Sequence, residues 1–214
     1  MKGLKWNIAQ YLELRWWKNY INNKDPEDYL NWKKSYWEKF IKHIPNFTFS
    51  KSTLELGGGP AGLYLIKNTV SKYTVVDPLL NSYENELSIF NKTKYPNIEF
   101  LNRTVEQLNL GKNYEQIVAI NALNHFRNLE ESVATIQSHL DPKGKVYVSI
   151  DCHNYFFLKK IFQAIPGDLL HPHQYSKKDY ENLFLQRGFK ILKRVKLKRD
   201  FVFEYLLYEL ELKD

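Results

Sequence analysis

The chain has 214 residues, of which 43% are hydrophobic, enough for one well-packed domain or for one domain with a small cap. Its single cysteine, Cys152, excludes an intramolecular disulfide framework and is typical of a reducing compartment. The first ten residues hold no apolar stretch of signal-peptide length, and no later segment approaches the roughly 20 apolar residues that a membrane helix needs. These features predict a soluble, cytoplasmic protein with no role for a membrane.

The formal net charge of +7 raises the question of nucleic acid as a partner. Most lysines alternate with aromatic residues at helical spacing, which is typical of solvated helix faces. The densest basic cluster runs from Lys190 to Arg199 and alternates in polarity, so it predicts a strand with one basic face. RNA contact through this face stays open as an alternative.

Two aromatic helices are predicted ahead of the first strand. Apolar residues recur every three or four positions over residues 4–22, and a second helix to about His43 begins at Asp25, an N-cap, with Pro26 in its first position. All five tryptophans precede residue 38. We treat residues 1–48 as an N-terminal helical cap, which serves either as a lid over a ligand or as the cover of one sheet face.

The chain is organised around a strand, a glycine turn, a helix and a second strand that ends in an acid. The first strand is Thr53–Leu56, the turn GGGPAG occupies residues 57–62, and a segment of helical length follows over Leu63–Val70. The second strand, Tyr73–Val76, leads directly to Asp77. This arrangement is half of a nucleotide-binding α/β unit.

The turn fits the pattern G-x-G-x-x-G through Gly57, Gly59 and Gly62, which lets the backbone bend sharply and approach a ligand closely. We expect the first amides of the following helix to point at an anionic ligand group. A carboxylate at Asp77 can accept both hydroxyl protons of a ribose. The same pattern serves NAD(P), FAD and S-adenosylmethionine.

Strands and helices are predicted to alternate after Asp77, up to two consecutive strands at the C-terminus. Further strands are predicted at 98–101, 114–120, 145–150, 189–196 and 200–210, and helices at 82–91, 129–140, 156–164 and 176–187. The last two strands form a hairpin. The pattern predicts an α/β fold with a doubly wound, mostly parallel seven-stranded sheet and a C-terminal antiparallel hairpin, preceded by the aromatic helical pair.

Glu55, Gly57 and Gly59 form E-x-G-x-G, which resembles motif I of the class I S-adenosylmethionine-dependent methyltransferases. The string DPKGKVYVSI at residues 141–150 is also similar to that family. The resemblance implies that residues 49–214 form an S-adenosylmethionine-binding methyltransferase domain. It implies an enzyme that methylates oxygen or nitrogen of a small molecule or a peptide side chain. A NAD- or FAD-dependent oxidoreductase, an RNA methyltransferase and a catalytically inactive scaffold stay open as alternatives.

The cofactor residues are expected at the carboxyl ends of the strands, where ligands of open α/β sheets collect. In the family the acid at the position of Glu55 lies near the methionine end of the cofactor. Thr104 and Val105 occupy the place where the family often has an acidic run that contacts adenine. The full set of predicted cofactor residues is Glu55, Gly57, Gly58, Gly59, Asp77, Pro78, Thr104, Val105 and Asn121.

His125 is the candidate catalytic base, or a hydrogen-bond partner of the acceptor, because an imidazole exchanges protons near neutral pH. It ends a loop that resembles the family's loop after the fourth strand, which often closes with two histidines; here Asn124 takes the first place. Residues predicted on the acceptor side are Asp151, His153, Asn154, His171 and His173. These histidines with Asp151 could bind zinc or iron, but we expect no metal. The sequence leaves the acceptor and the oligomeric state open.

Overall fold

The computed structural model describes residues 3–44, 47–67, 72–153, 175–199 and 203–213. Its helices are α1 (Gly3–Ile21), α2 (Pro26–Ile41), α3 (Leu80–Glu86), α4 (Leu129–His139) and α5 (Lys177–Gln186). Its strands are β1 (Ser52–Leu56), β2 (Lys72–Val76), β3 (Ile98–Leu101), β4 (Tyr114–Ile120), β5 (Leu140–His153), β6 (Phe189–Arg199) and β7 (Phe203–Leu212).

The strands of the described residues form one seven-stranded sheet in the order β3-β2-β1-β4-β5-β7-β6. The first five strands are parallel, and β7 is antiparallel to both of its neighbours. Because β1 pairs with β2 on one side and β4 on the other, the strand order reverses at β1. A ligand crevice is expected at the carboxyl ends of these strands. The predicted fold class is confirmed.

The segment after the glycine turn differs from the predicted helix. In place of an α-helix over Leu63–Val70, two short 3-10 turns span Gly59–Ala61 and Leu63–Ile66, and the backbone is extended again at Lys67. Residues 68–71 lie outside the described part of the chain. Leu63 and Tyr64 are fully buried, so this segment is held by packing rather than by helical hydrogen bonds.

The bounds of other helices and strands differ from the predicted bounds by several residues. Helix α3 ends at Glu86 instead of continuing to residue 91, because the backbone is already extended at its C-cap, Leu87. Strand β5 begins at Leu140 instead of residue 145, because residues 141–144 form an irregularity within the strand, between the pairs Tyr114–Leu140 and Gln116–Lys145. The predicted helix 156–164 falls outside the described residues.

The two N-terminal helices pack on the α/β core. Trp37 and Phe40 of α2 are buried in one cluster with Leu63, Val118 and Leu207. The indole N–H of Trp37 also donates a 3.0 Å hydrogen bond to the carbonyl of Ala61 in the glycine turn. The division of the chain into a cap and a domain near residue 48 stays a prediction.

The predicted basic face lies on β6, at the edge of the sheet. Some of its charge is paired: Lys190 lies 3.3 Å from a carboxylate oxygen of Glu211, and Arg194 lies 2.9 Å from one of Glu181. Charged edge strands are a common protection against pairing with other chains, so this cluster has a structural explanation. None of the described helices is both long and apolar enough to cross a bilayer.

Candidate active site

Several positions of the glycine turn after β1 require glycine, and two of them, Gly57 and Gly59, have a positive φ. Gly57 has φ +67°, and a Cβ atom there would lie 2.5 Å from the Cβ of Ala122. Gly59 has φ +57°, but a Cβ atom there would meet only Trp17, at 3.9 Å. Both backbone conformations are disfavoured for residues with a side chain. The turn therefore brings its backbone close to the loop after β4.

Glu55 is buried beneath this turn. Its carboxylate accepts hydrogen bonds from the amides of Leu63 (2.6 Å) and Tyr64 (3.0 Å) and from the hydroxyl of Tyr73 (3.0 Å). Burial nevertheless raises its pKa to about 7, because desolvation of the charged form exceeds the effect of the three donors. The expectation that the amides after the turn point at a ligand is wrong for Leu63 and Tyr64, since Glu55 occupies both.

Asp77 also lies close to the turn. One carboxylate oxygen accepts from the amide of Gly59 at 3.0 Å and the other from the amide of Leu79 at 2.8 Å. Burial raises the pKa of Asp77 to about 6, against the opposing effect of these two hydrogen bonds. A carboxylate has about four acceptor positions, so two amide donors leave capacity for hydroxyl donors of a ligand.

A cavity of about 560 Å³ lies over the carboxyl ends of β1, β2 and β4. All of the predicted cofactor residues line it together with the predicted base: Glu55, Gly57, Gly58, Gly59, Asp77, Pro78, Thr104, Val105, Asn121 and His125. The structure therefore brings together side chains that the sequence places on four different loops. The volume is within the range of small-molecule and cofactor sites.

Two polar residues in this cavity show unusual local structure. The hydroxyl oxygen of Thr104 is buried without a hydrogen-bond partner among the described residues. Asn121 adopts a positive φ of 52°, and it exchanges hydrogen bonds with the Ser149 hydroxyl, which accepts from its amide and donates to its side-chain oxygen, each at 2.8 Å. Strained or unsatisfied groups of this kind concentrate at functional sites.

The neighbouring acid, Glu106, is more than a surface charge. Its carboxylate accepts from the amide of Asn128 at 2.9 Å and from the hydroxyl of Ser132 at 2.8 Å, at the start of α4. Asn124, in the place of the family's first histidine, is buried and accepts a 2.6 Å hydrogen bond from the Tyr180 hydroxyl. Both residues hold the loops around the cavity in position.

The acceptor-side residues are less well placed. Asp151 does not belong to the cavity lining, although it is near enough to the lining residue Tyr36 to raise the pKa of that phenol, together with burial. His153 ends β5, but its side chain is outside what the structure describes. Asn154, His171 and His173 lie outside the described residues, so their roles stay predictions. Within the described ranges, no three His, Cys, Asp or Glu side chains cluster closely enough to hold a metal ion.

Sequence reasoning identified the aromatic helices but not their residues in the site. Helices α1 and α2 contribute a large part of the cavity lining: Trp6, Gln10, Glu13, Trp16, Trp17, Tyr20, Tyr29, Trp32, Lys33, Tyr36 and Trp37. Trp16 and Trp32 remain 48% and 52% exposed, which is unusual for large apolar side chains. The sequence feature that could have indicated this role is the high density of tryptophan in these two helices, since a helix that only covers a sheet face does not require it.

One cation lies within this aromatic lining. The ammonium of Lys33 lies 4.5 Å from the ring centroids of both Tyr36 and Trp37. Burial lowers its pKa to about 8, and the charge of Glu55 opposes that shift. Lys33 therefore introduces a weakly solvated positive charge next to the glycine turn.

Comparison with known proteins gives the family. A family model described as a methyltransferase domain matches residues 29–194, which is more than half of the chain. A curated relative, a ubiquinone biosynthesis O-methyltransferase from Rickettsia akari, is 25% identical over 114 residues. That match covers 52% of this chain and 45% of the relative, so the chain spans less than half of the relative's length.

Solved structures agree with the fold. An S-adenosylmethionine-dependent methyltransferase from Clostridium acetobutylicum superposes with a TM-score of 0.62 at 16% identity, over 96% of this chain and 99% of the other. The N-methyltransferase NodS from Bradyrhizobium japonicum, in complex with S-adenosyl-L-homocysteine, gives a TM-score of 0.66 at 11% identity, over 95% and 98% of the two chains. At these identities the similarity establishes the architecture alone.

The chain belongs to the methyltransferase domain family. The resemblance to class I S-adenosylmethionine-dependent methyltransferases is thereby confirmed, and with it, at the level of the family, the methyltransferase class of enzyme and S-adenosylmethionine as its cofactor. The family match decides against a nicotinamide or flavin oxidoreductase.

Proposed function

We propose that this chain transfers the methyl group of S-adenosylmethionine to an oxygen or nitrogen atom of a small molecule or a peptide side chain. The observation that carries the proposal is the shared cavity: the glycine turn, Asp77, Thr104 and His125 line one space. Two proteins with solved structures of this fold, the glycopeptide N-methyltransferase MtfA and NodS, are named as N-methyltransferases. The relative from Rickettsia is named as an O-methyltransferase. These names support either atom.

The residues present fit the cofactor. The open side of Gly59 admits a ligand close to the backbone, and Asp77 has acceptor capacity for the hydroxyls of a ribose. The buried hydroxyl of Thr104 offers a hydrogen-bond partner for a polar group such as the adenine edge. Glu55 supports the turn from beneath through Leu63 and Tyr64. We assign the remaining lining residues Gly57, Gly58, Pro78, Val105 and Asn121 to the same cofactor site.

The cofactor supplies a methyl group on a sulfonium, which is an excellent leaving group. The protein's own task is then to hold the acceptor atom in line with that methyl, and positioning of this kind can supply about 7–11 kcal/mol of the barrier. An acceptor hydroxyl or amine must also lose a proton. We assign His125, in the short 3-10 turn Leu123–His125 after β4, as the group that accepts it.

Calorimetric titration with S-adenosyl-L-homocysteine tests the cofactor site. We expect Asp77→Ala to weaken binding by at least tenfold, about 1.4 kcal/mol, because the ribose hydroxyls lose their acceptor. Glu99→Ala, which removes an exposed carboxylate of β3, is the matched control and should bind like the wild type. Equal affinity of Asp77→Ala and the wild type would refute the ribose role, and absence of binding to the wild type would refute the proposed function.

A further inference from the structure

Helix α1 presents two polar atoms to the cavity that find no protein partner. The indole nitrogen of Trp6 and the side-chain oxygen of Gln10 are buried, and neither has a hydrogen-bond partner among the described residues. Gln10 as a whole is only 9% exposed, and both residues line the cavity. An unsatisfied buried polar atom is destabilising, so such atoms in a cavity indicate a ligand that satisfies them.

The two atoms are chemically complementary. The indole N–H of Trp6 can only donate a hydrogen bond, whereas the carbonyl oxygen of Gln10 can only accept one. Residues four positions apart lie next to each other on one face of a helix, so both atoms can reach the same ligand group. A hydroxyl is the simplest group that accepts one hydrogen bond while it donates another.

The surrounding side chains favour a flat molecule. Trp16 and Trp32 line the cavity while about half exposed, and indole faces stack well on planar rings. The ammonium of Lys33 shares the cavity with the carboxylates of Glu13 and Glu106, so the lining carries charges of both signs. The choice of a hydroxylated aromatic compound therefore rests on the exposed indoles and on the donor and acceptor pair of Trp6 and Gln10.

We propose that Trp6 and Gln10 form the recognition subsite for the methyl acceptor, and that the acceptor is a hydroxylated aromatic small molecule. This inference rests on the proposed function and specifies its substrate class. Helix α1 ends at Ile21, before the first residue of the family match at 29. The subsite thus belongs to a part of this chain that the family model does not include, and it selects the acceptor rather than the shared cofactor.

Three variants separate recognition from folding. Trp6→Phe keeps an aromatic ring but removes the donor, and Gln10→Leu keeps the approximate volume but removes the acceptor. Tyr11→Phe removes a hydroxyl from the same helix at a position that is 63% exposed and outside the cavity lining, and it is the matched control. Thermal unfolding of all three shows whether each variant is folded.

The probes are 2-naphthol and 2-methylnaphthalene, in which a methyl group replaces the hydroxyl, titrated against the tryptophan fluorescence of the protein saturated with S-adenosyl-L-homocysteine. We expect 2-naphthol to bind at least tenfold more tightly than 2-methylnaphthalene to the wild type and to Tyr11→Phe. Trp6→Phe and Gln10→Leu should each reduce this ratio about fivefold or more, with an unchanged affinity for S-adenosyl-L-homocysteine.

Two results would overturn the inference while the proposed function stands. One is equal binding, or no binding, of the two probes by a wild-type protein that binds S-adenosyl-L-homocysteine. The other is a loss of S-adenosyl-L-homocysteine affinity in folded Trp6→Phe and Gln10→Leu, which would assign the pair to the cofactor site. A wild-type protein that fails to bind S-adenosyl-L-homocysteine refutes the proposed function itself, and the inference with it.

Discussion

At the scale of single residues, the site depends on two carboxylates that the fold buries next to the glycine turn. Glu55 supports the turn from within the protein through three hydrogen-bond donors, and Asp77 accepts from the amide of Gly59. Burial raises the pKa of both acids. The two residues therefore link the conformation of the turn to pH.

Gly57 permits a direct test of the turn. We expect Gly57→Ala to destabilise the protein by roughly 2–4 kcal/mol, from backbone strain and from the 2.5 Å approach to Ala122. The matched control is Gly111→Ala, because Gly111 has a similar φ of +60° but a Cβ atom there would meet nothing within 4 Å. Urea unfolding of both variants measures the difference. Equal losses of unfolding free energy would contradict the close contact at Gly57.

Glu55 predicts how stability depends on pH without a ligand. Its pKa rises from the ordinary value of 4.5 to about 7 on folding, so the folded state holds a proton that the unfolded chain releases between these values. The free energy of unfolding should then fall by roughly 2 kcal/mol as the pH rises from about 5 to about 7. Asp77, with a pKa raised to about 6, adds a contribution of the same sign.

Glu55→Gln should lose most of this pH dependence in urea unfolding at pH 5, 6, 7 and 8. Glu99→Gln serves as the control. The hydrogen bond from Lys112 lowers the pKa of Glu99, so the titration of Glu99 affects the free energy of unfolding only at pH values below the tested range. The explanation fails if Glu55→Gln retains the wild-type slope.

At the scale of elements, α2 holds the glycine turn through Trp37. The indole N–H of Trp37 donates to Ala61, and its ring is buried with Phe40 and Leu63. This contact makes the aromatic helix part of the support of the glycine turn, where we propose that the cofactor binds. A helix that only covered one face of the sheet would pack in the same hydrophobic cluster, but it would not need a hydrogen bond to the glycine turn.

Trp37→Phe should therefore cost about 1–3 kcal/mol of unfolding free energy, since the carbonyl of Ala61 loses its donor and the smaller ring leaves space. Trp32→Phe, at a position that is 52% exposed, is the control and should change stability by less than about 0.5 kcal/mol. Similar losses from both variants would show that the bond to Ala61 contributes little.

The sequence predicted the sheet and the loops that line the cavity well because their signals are local. Apolar strands, positive-φ glycines and the acid after β2 lie within short stretches. The helix predicted after the turn was wrong because Leu63 and Tyr64 are fully buried, and this burial depends on tertiary packing that the local sequence does not encode. The roles of Trp6, Gln10 and Lys33 depend on how α1 and α2 pack over the sheet, which periodicity does not encode.

At the scale of the whole molecule, the chain combines a methyltransferase sheet with an aromatic N-terminal pair of helices around one cavity. The sheet supplies the glycine turn and the residues at the ends of β1, β2 and β4. The helices supply tryptophans, one cation and two unsatisfied polar atoms. We infer that the sheet binds the cofactor and that the helices select the acceptor.

A crystal structure of the protein with S-adenosyl-L-homocysteine tests this account most directly. We predict that the adenosine crosses residues 57–59, with its ribose hydroxyls within 3.2 Å of the carboxylate of Asp77, a hydrogen-bond distance. Thr104 should lie against the adenine, and Trp6 and Gln10 should remain free of the cofactor. Density for the nucleoside elsewhere, or a ribose that makes no contact with Asp77, would contradict the account.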